Sequence, residues 1–472
     1  MKPKTILYEL NEVPWEVIDK YVRDRPNSTL AKLLPESLQL TSYTKDEGEL
    51  HPWSTWPTVH RGVYNFVHNL RFINQEDKSC SYPPIWEILS ENKIDVGVFG
   101  SLQSWPVPKN CQSYSFYVPD TFAKDEKTHP SYMSYFQAFN LTQTKRDGAV
   151  AQTVQLKANL LPQVVKLLKT GLSLKTCFKL AKHLASERKN PLYKTVRSTH
   201  QATISFDFYK KLLKENKPQF STYFTNHAAG IMHRYWKYYF PEDFNYQLID
   251  KRDSFLSKNI IRAMDIADKQ ISYLYKYAKK NNYTLIILSS MGQEAVDRGE
   301  YHGEFRLNNL DKFTKFIGFK KQVKQNLAMQ PDFALEFDSQ MEMNEFIKLA
   351  KMIQDKDKQP IMSFKVSGKS LNLSLNLAVV GQEVIKENKF YLSNGSSVDP
   401  SELGINMIHR DVGTGYHQPK GIIMAVGDAI KANNSRKEVE SIQIAPTLLK
   451  LYGINAPDYM AEPIGDVFEV YS

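Results

Sequence analysis

Short apolar strand patterns alternate with longer helix patterns along much of the chain. Thr5–Leu10 is followed by a helix pattern over Trp15–Val22, and another helix pattern leads into the apolar stretch Ile94–Gly100. Two further strand patterns, Phe220–Phe224 and Thr284–Leu288, each follow a helix pattern. This alternation predicts an α/β fold with a mainly parallel sheet, helices on both faces, and ligands bound at the carboxyl ends of the strands.

Two segments interrupt the alternation, and we interpret both as insertions. Residues 124–198 have a helical and basic pattern, whereas residues 313–406 include the alternating stretch Leu371–Leu377, which is typical of antiparallel strands. The α/β core then comprises residues 1–123, 199–312 and 407–472. A chain of 472 residues is long enough for one large core that carries cap insertions of this kind.

The positive charge is concentrated in the first insertion. The net charge of the chain is +10, and Ala151–His200 carries ten Lys or Arg residues against the single acid Glu187, which gives a local balance of +9. Such a surface attracts phosphate groups, anionic lipid or nucleic acid, although a solvated helical face has the same composition. We expect an anionic ligand or peripheral contact with an anionic membrane in preference to nucleic acid.

Cysteine content and hydropathy indicate a reducing compartment inside the cell. Three cysteines are too few for a disulfide framework and show no paired metal-ligand spacing. The residues from Met1 to Leu10 lack the apolar run of a signal peptide, and no uncharged stretch approaches the roughly 18 residues of a membrane span. We therefore expect a cytoplasmic protein with a peripheral position at the inner membrane surface. The sequence leaves the oligomeric state open.

Five segments place polar side chains close to the ends of the predicted strands or at a helix start. In chain order they are Glu9–Trp15, Pro52–Gly62, Phe224–Trp236, Leu288–Gln293 and Gly413–Gly427. Because the carboxyl ends of parallel strands meet at one edge of a sheet, we expect these segments to converge on one pocket.

The order of the five segments resembles the alkaline phosphatase superfamily, especially its type I phosphodiesterase and nucleotide pyrophosphatase-like branch. The likeness covers the core and leaves out the insertions, and the Gly-x-His-x-Pro-x-Gly run at residues 415–421 is its most specific match. The resemblance implies a two-metal phosphoester site that is built largely from carboxylates. Four of the six expected ligand positions carry no carboxylate or imidazole here: Asn11, Ala229, Ser290 and Met291.

The remaining ligands limit what metal the site could hold. His233 and His417 stand in positions that the resemblance assigns to ligands, and His227 is close enough in sequence to substitute for a lost one. Three imidazoles suit one zinc ion and leave an open coordination position. We therefore expect at most a single zinc ion, and not a full two-metal centre. Glu12, beside Asn11, is a candidate displaced carboxylate ligand, although turn chemistry before Pro14 explains it equally well.

A metal-free interpretation remains open. The resemblance makes Thr55 the expected nucleophile, with Ser54 as its alternative and Asn11 beside it in the catalytic group. A histidine base would then activate the hydroxyl while Arg61 or Arg410 holds an anion.

The resemblance also suggests an activity. We assign substrate contacts to Glu12, Ser290, Gln293 and Arg410. The implied function is an intracellular hydrolase or transferase that acts on a phosphate or related anionic ester. Its substrate would be a small molecule that is sugar-, nucleotide- or lipid-linked, or attached to a glycan. The alternative is a catalytically inactive binding or scaffold protein that retains the fold.

Overall fold

The computed structural model describes residues 3–73, 75, 81–146, 149–150, 160–297, 303–326, 333–375, 389–409, 413–428 and 430–465. The chain divides into two compact units. The first unit comprises Met1–Leu141, Thr153–Asp297 and Gly413–Ser472, and the second comprises Thr142–Gln152 and Arg298–Val412. The candidate residues that the structure describes all belong to the first unit.

An eight-stranded sheet forms the centre of the first unit. Its strands, numbered here in chain order, are β1 (Thr5–Leu10), β2 (Leu38–Tyr43), β3 (Val96–Phe99), β4 (Phe116–Val118), β5 (Phe220–Thr225), β6 (Thr284–Leu288), β7 (Lys420–Val426) and β8 (Glu438–Glu440). The spatial order is β8-β2-β7-β6-β1-β5-β3-β4. All neighbouring pairs are parallel except those of β7, which runs antiparallel to β2 and β6. The predicted mainly parallel sheet is confirmed.

Helices cover both faces of this sheet because both faces are apolar. All six residues of β1 are buried, and its even-numbered residues Ile6, Tyr8 and Leu10 belong to a large apolar cluster. That cluster also takes in the helices Trp15–Asp24, His200–Asn216, His227–Tyr239 and Asn259–Asn281. On the opposite face, Ile286 and Leu288 pack against the helix Ile444–Leu451. The predicted helices on both faces are therefore present.

The remaining helices of the first unit are shorter or belong to the basic segment. Five of these helices lie within or beside the core segments: Thr29–Leu33, Pro52–Arg61, Asn65–His68, Ile85–Glu91 and Lys251–Leu256. Residues 124–198 are largely helical, with helices Ser134–Thr144, Leu160–Thr170 and Leu174–Lys189. Within this segment, Thr142–Gln152 groups with the second unit, and the residues before and after it group with the first.

The second unit contains small antiparallel sheets around its own apolar cluster. The four-stranded sheet consists of Lys324–Asn326, Phe333–Glu336, Ser370–Leu375 and Met362–Ser367, in that order. Further pairs join Gly303–Leu307 to Ile405–His409, and Phe390–Leu392 to Ile353–Gln354 and Ser397–Val398. The helices Leu310–Phe316 and Gln340–Ala350 lie in the described part of this unit. The alternating pattern that begins at Leu371 is a strand as far as Leu375, and Asn376 and Leu377 lie outside the described residues.

Within the described part of the chain, no helix has both the length and the apolar content that crossing a membrane requires.

Packing between β3 and β4 gives a test of the sheet. A Cβ added at Gly97 would lie 2.2 Å from the Phe116 ring, so Gly97→Ala should overpack this site and destabilise the protein by about 1–3 kcal/mol. Gly230, in the helix His227–Tyr239, has no atom within 4 Å of an added Cβ. Gly230→Ala should therefore be neutral or stabilising, by up to about 1 kcal/mol. Urea denaturation of both variants would show this difference, and equal stabilities would contradict the assigned packing.

Candidate metal centre

The carboxyl ends of the parallel strands meet at one edge of the sheet, and candidate residues gather there. β1 is followed by Asn11 and Glu12, and β6 is followed by Ser289 and Ser290. Because β7 is antiparallel to its neighbours, the residues that precede it, including His417, reach the same edge. This placement follows from the direction of the strands.

A short antiparallel pair positions His417. The strand Gly292–Ala295 pairs with Gly415–Gln418, and His417 lies opposite Gln293. The backbone of Gly415 packs against the helix His227–Tyr239, where an added Cβ would lie 2.6 Å from the Met232 carbonyl oxygen. Only glycine fits at this close approach. The Gly415 carbonyl accepts a 2.8 Å hydrogen bond from His233 Nδ1, so the pair of strands also orients that ring.

Glu12, His233 and His417 converge on one carboxylate oxygen. Glu12 Oε2 lies 3.0 Å from His233 Nε2 and 3.5 Å from His417 Nε2. The same oxygen accepts a hydrogen bond from Gln293 Nε2, while Oε1 accepts one of 2.8 Å from Asn11 Nδ2. His233 Nδ1 already donates to Gly415. Its Nε2 can therefore approach a carboxylate this closely only with a proton or a metal ion between the two atoms.

Glu12 adopts a backbone conformation that is uncommon for residues other than glycine. Its φ is 62°, in the left-handed region, and its side chain is only 2% exposed. Such a conformation costs on the order of 1–3 kcal/mol and is found most often at functional sites. It occurs in the turn between β1 and the helix Trp15–Asp24, at the point where the carboxylate meets both imidazoles.

The charges of the three side chains depend on one another. Burial on its own would raise the pKa of Glu12, but the charges of His417 and His233 outweigh it and hold that pKa well below the usual range. Burial likewise opposes protonation of His417, yet the Glu12 carboxylate raises the pKa of His417 above its ordinary value. Without a metal ion, the cluster is a buried, hydrogen-bonded ion pair in which both imidazoles face Glu12 Oε2.

The same three atoms fit a zinc site. Ligands of a tetrahedral zinc at 2.0–2.1 Å are separated by about 3.3 Å, which lies between the two observed distances to Glu12 Oε2. One carboxylate and two imidazoles form a known catalytic zinc ligand set that leaves a fourth position open. The hydrogen bond from His233 Nδ1 to a backbone carbonyl is the orienting contact that metal-bound histidines usually make. Within the described part of the chain, no other three His, Cys, Asp or Glu side chains bring their ligand atoms within 4.8 Å of one another.

The structure contradicts the prediction that His227 is the third ligand. His227 Nδ1 lies 2.7 Å from the Thr225 hydroxyl, and its Nε2 lies 3.0 Å from the Ala263 carbonyl oxygen. Both ring nitrogens are therefore engaged away from the cluster, and burial lowers the pKa of His227 to about 4. The third candidate ligand atom comes from Glu12, which the sequence suggests both as a displaced carboxylate ligand and as a substrate contact.

Thr55 and Ser290 lie together in a buried position. Their hydroxyl oxygens are 2.8 Å apart, and both residues are fully buried. The next residue, Trp56, donates a 2.8 Å hydrogen bond from Nε1 to Asn11 Oδ1, and Asn11 in turn donates to Glu12. The start of the helix Pro52–Arg61 is thus connected to the metal-ligand cluster through Asn11.

The structure does not bring the other predicted catalytic residues to this cluster. The Ser54 hydroxyl accepts from Asn65 Nδ2 at 3.2 Å, in a separate buried network. Arg61 ends the helix that Pro52 begins, about 9 Å along the axis from Thr55, and its guanidinium donates to the Tyr82 carbonyl. Arg410 lies outside the described residues. Arg61 therefore lies on a different turn of the helix from Thr55, and the interpretation in which Arg61 or Arg410 holds an anion stays a prediction.

Substitution of single histidines should distinguish ligands from structural residues. His233→Gln and His417→Gln should each lower zinc affinity about 10- to 100-fold or more, whereas His227→Gln should leave zinc stoichiometry unchanged. Zinc per chain after equilibrium dialysis, measured by plasma mass spectrometry, is the readout. Loss of zinc in the His227 variant alone would contradict the assigned ligand set.

The stability of the metal-free protein should depend on pH through the same cluster. The lowered pKa of Glu12 contributes stability that is present above its ordinary pKa and is lost as the pH falls through the lowered value. The raised pKa of His417 contributes stability that is complete below about pH 6.5 and is lost as the pH rises through the raised value. Urea denaturation in the presence of a chelator should show that the free energy of unfolding falls at alkaline pH, and that it falls less in His417→Gln. An equal fall in that variant would contradict the ion pair.

No family model matches the chain, and no curated protein sequence does so. Solved structures are similar over nearly its whole length. Murine ectonucleotide pyrophosphatase/phosphodiesterase 5 aligns with a TM-score of 0.44 and 11% identity, covering 99% of this chain and 100% of that one. Alkaline phosphatase PafA aligns with a TM-score of 0.47 and 12% identity, covering 99% of each chain. A TAB5 alkaline phosphatase with bound Mg aligns with a TM-score of 0.39 and 14% identity, covering 96% of this chain and 99% of that one. Similarities at this level assign no family to the chain, and its α/β fold is shown by the mainly parallel eight-stranded sheet itself.

Proposed function

We propose that this protein hydrolyses a phosphate or related anionic ester at a single-cation site formed by Glu12, His233 and His417. The observation that carries the proposal is the approach of both Nε2 atoms to Glu12 Oε2, at 3.0 and 3.5 Å, at the ligand-binding edge of the sheet. Glu12, His233 and His417 would hold a zinc ion there, and that ion would supply Lewis acidity to the reaction. The two imidazoles remain partly open to solvent, with the His233 side chain 25% exposed.

The neighbouring side chains fix the charge and orientation of this site. Asn11 and Gln293 each donate a hydrogen bond to Glu12, which keeps the carboxylate ionised and holds both of its oxygens in place. The Gln293 side-chain oxygen is buried and has no hydrogen-bond partner among the described residues. Because Gln293 is fully buried, this acceptor reaches a substrate hydroxyl only if the residues around it move, and substrate contact by Gln293 is part of the proposal.

Thr55 remains the proposed nucleophile. It lies in the first turn of the helix Pro52–Arg61, where the helix dipole favours an anionic group, while the Ser54 and Thr55 N–H groups themselves donate to the His51 carbonyl. Ser290 holds its hydroxyl at 2.8 Å. Attack by Thr55 Oγ1 on phosphorus would form an ester to the enzyme and release the leaving group, after which water would cleave that ester.

The burial of Thr55 favours a second candidate function. Thr55 and Ser290 are both fully buried and bonded to each other, so the hydroxyl reaches a substrate only if the helix start moves. A protein that binds an anionic ester or its cation complex without cleaving it needs no such movement. The alternative is therefore a binding protein that uses the same ligand cluster.

Hydrolysis assays with zinc-loaded protein separate the two candidates. The panel would contain a phosphate monoester, a phosphate diester and a sulfate ester of p-nitrophenol. We expect turnover of at least one ester, and Glu12→Gln should lower kcat/KM by about a hundredfold because the site loses a charged ligand. His227→Gln is the control, since that ring lies outside the cluster. Binding of an ester without turnover would favour the second candidate.

The same assay tests the nucleophile. Thr55→Ser retains a hydroxyl and should keep measurable activity, whereas Thr55→Val should abolish it. Equal activities of the two variants would exclude Thr55 as the nucleophile.

A further inference from the structure

The helix Leu174–Lys189 exposes an apolar stripe that no described residue covers. Leu174 is 75% exposed and Phe178 is 72% exposed, although side chains of this type are usually buried. Ala181 and Ala185 are also exposed and continue the stripe along the helix. At 100° per residue these four positions fall within about 60° of arc, so they form one continuous strip.

Basic side chains border this apolar strip. Lys175, Lys179, Lys182 and Lys189 are exposed and occupy the adjoining arc of the helix. The acid of this helix, Glu187, is buried and pairs with Arg197 and His183, so it does not offset the exposed charge. Burial lowers the pKa of Lys179, and the charges of Lys269 and Lys175 lower it further against the opposing charge of Asp207. The exposed face is therefore apolar along one strip and positive along the next.

The opposite side anchors the helix firmly to the core. Ser173 caps it by accepting from the Thr176 N–H at 3.1 Å, and the Ser173 N–H donates to Asp207 at 3.0 Å. At the other end, the His183 and His200 rings lie 4.1 Å apart. The exposed strip is thus held by a folded element and needs no rearrangement to meet a partner.

We propose that the face formed by Leu174, Phe178, Lys175, Lys179 and Lys182 binds the surface of an anionic lipid bilayer. A helix with Phe and Leu on one strip and lysines beside it has the composition of helices that lie in the interface plane of a membrane. The lysines attract anionic headgroups while the two large apolar side chains enter the boundary of the acyl chains. Charge complementarity favours lipid over a second copy of this chain, since the same face of another copy is equally positive. The proposal is independent of the proposed hydrolase activity.

Co-sedimentation with vesicles tests this surface in the full-length protein. We expect binding to phosphatidylcholine vesicles that contain about 30% phosphatidylserine and little binding to vesicles of phosphatidylcholine alone. Raising the salt from about 0.1 M to about 1 M shortens the screening length from about 10 to 3 Å and should weaken binding. Replacing Lys175, Lys179 and Lys182 with Gln should lower the partition coefficient on the order of a hundredfold.

A pair of apolar substitutions separates insertion from charge attraction. Phe178→Ser should lower the partition coefficient about tenfold because it removes one inserted side chain. Ile249→Ser is the matched control, since Ile249 is 80% exposed on a different segment, and it should bind as the parent does. Absence of binding to anionic vesicles, or an equal loss in both Ser variants, would overturn the proposal. Self-association that Phe178→Ser abolishes, seen by analytical ultracentrifugation without lipid, would also overturn it by assigning the strip to a second copy.

Discussion

The buried carboxylate of Glu12 is the group on which the arrangement of the site depends. An ionised carboxylate with 2% exposure is stable only when it is paired and hydrogen-bonded, since burial of an unpaired charge costs several kcal/mol. His233 and His417 provide the compensating charge or a shared cation, while Asn11 and Gln293 provide hydrogen bonds. These four partners come from three strand ends and one helix. The charge of a single residue therefore connects elements that are distant in the chain.

The residues around Glu12 also explain how a site can form at the end of β1, although Asn11 stands where an acid is expected. Asn11 cannot supply charge, but its amide accepts from Trp56 and donates to Glu12 and to Asn226. The left-handed φ of Glu12 then places the only nearby acid of that turn beside the two imidazoles. The site carries the charge of a single carboxylate. One divalent cation with an open coordination position suits that charge far better than two cations would.

Strand patterns predicted the sheet because they depend on local sequence. The position of His417 follows from the direction of β7, whereas that of His233 depends also on how the helix His227–Tyr239 packs. The partners of His227 could not be predicted in the same way. Its ring bonds to the Ala263 carbonyl, and that contact depends on the packing of two helices. The role of Glu12 depends on the sign of one backbone dihedral, which local sequence does not determine at a residue other than glycine. The longer segment of the second unit, Arg298–Val412, encloses the predicted insertion at residues 313–406 and includes the pairing of the strand Gly303–Leu307 with Ile405–His409.

Anomalous diffraction at the zinc absorption edge, from crystals grown with zinc, tests the central claim most directly. The account predicts one strong peak about 2.0–2.1 Å from Glu12 Oε2, His233 Nε2 and His417 Nε2. Two peaks about 4 Å apart would show that a two-metal centre forms despite the missing carboxylates. No peak at these three atoms, with Glu12 still paired to the histidines, would show that the cluster is an ion pair and would contradict the metal centre.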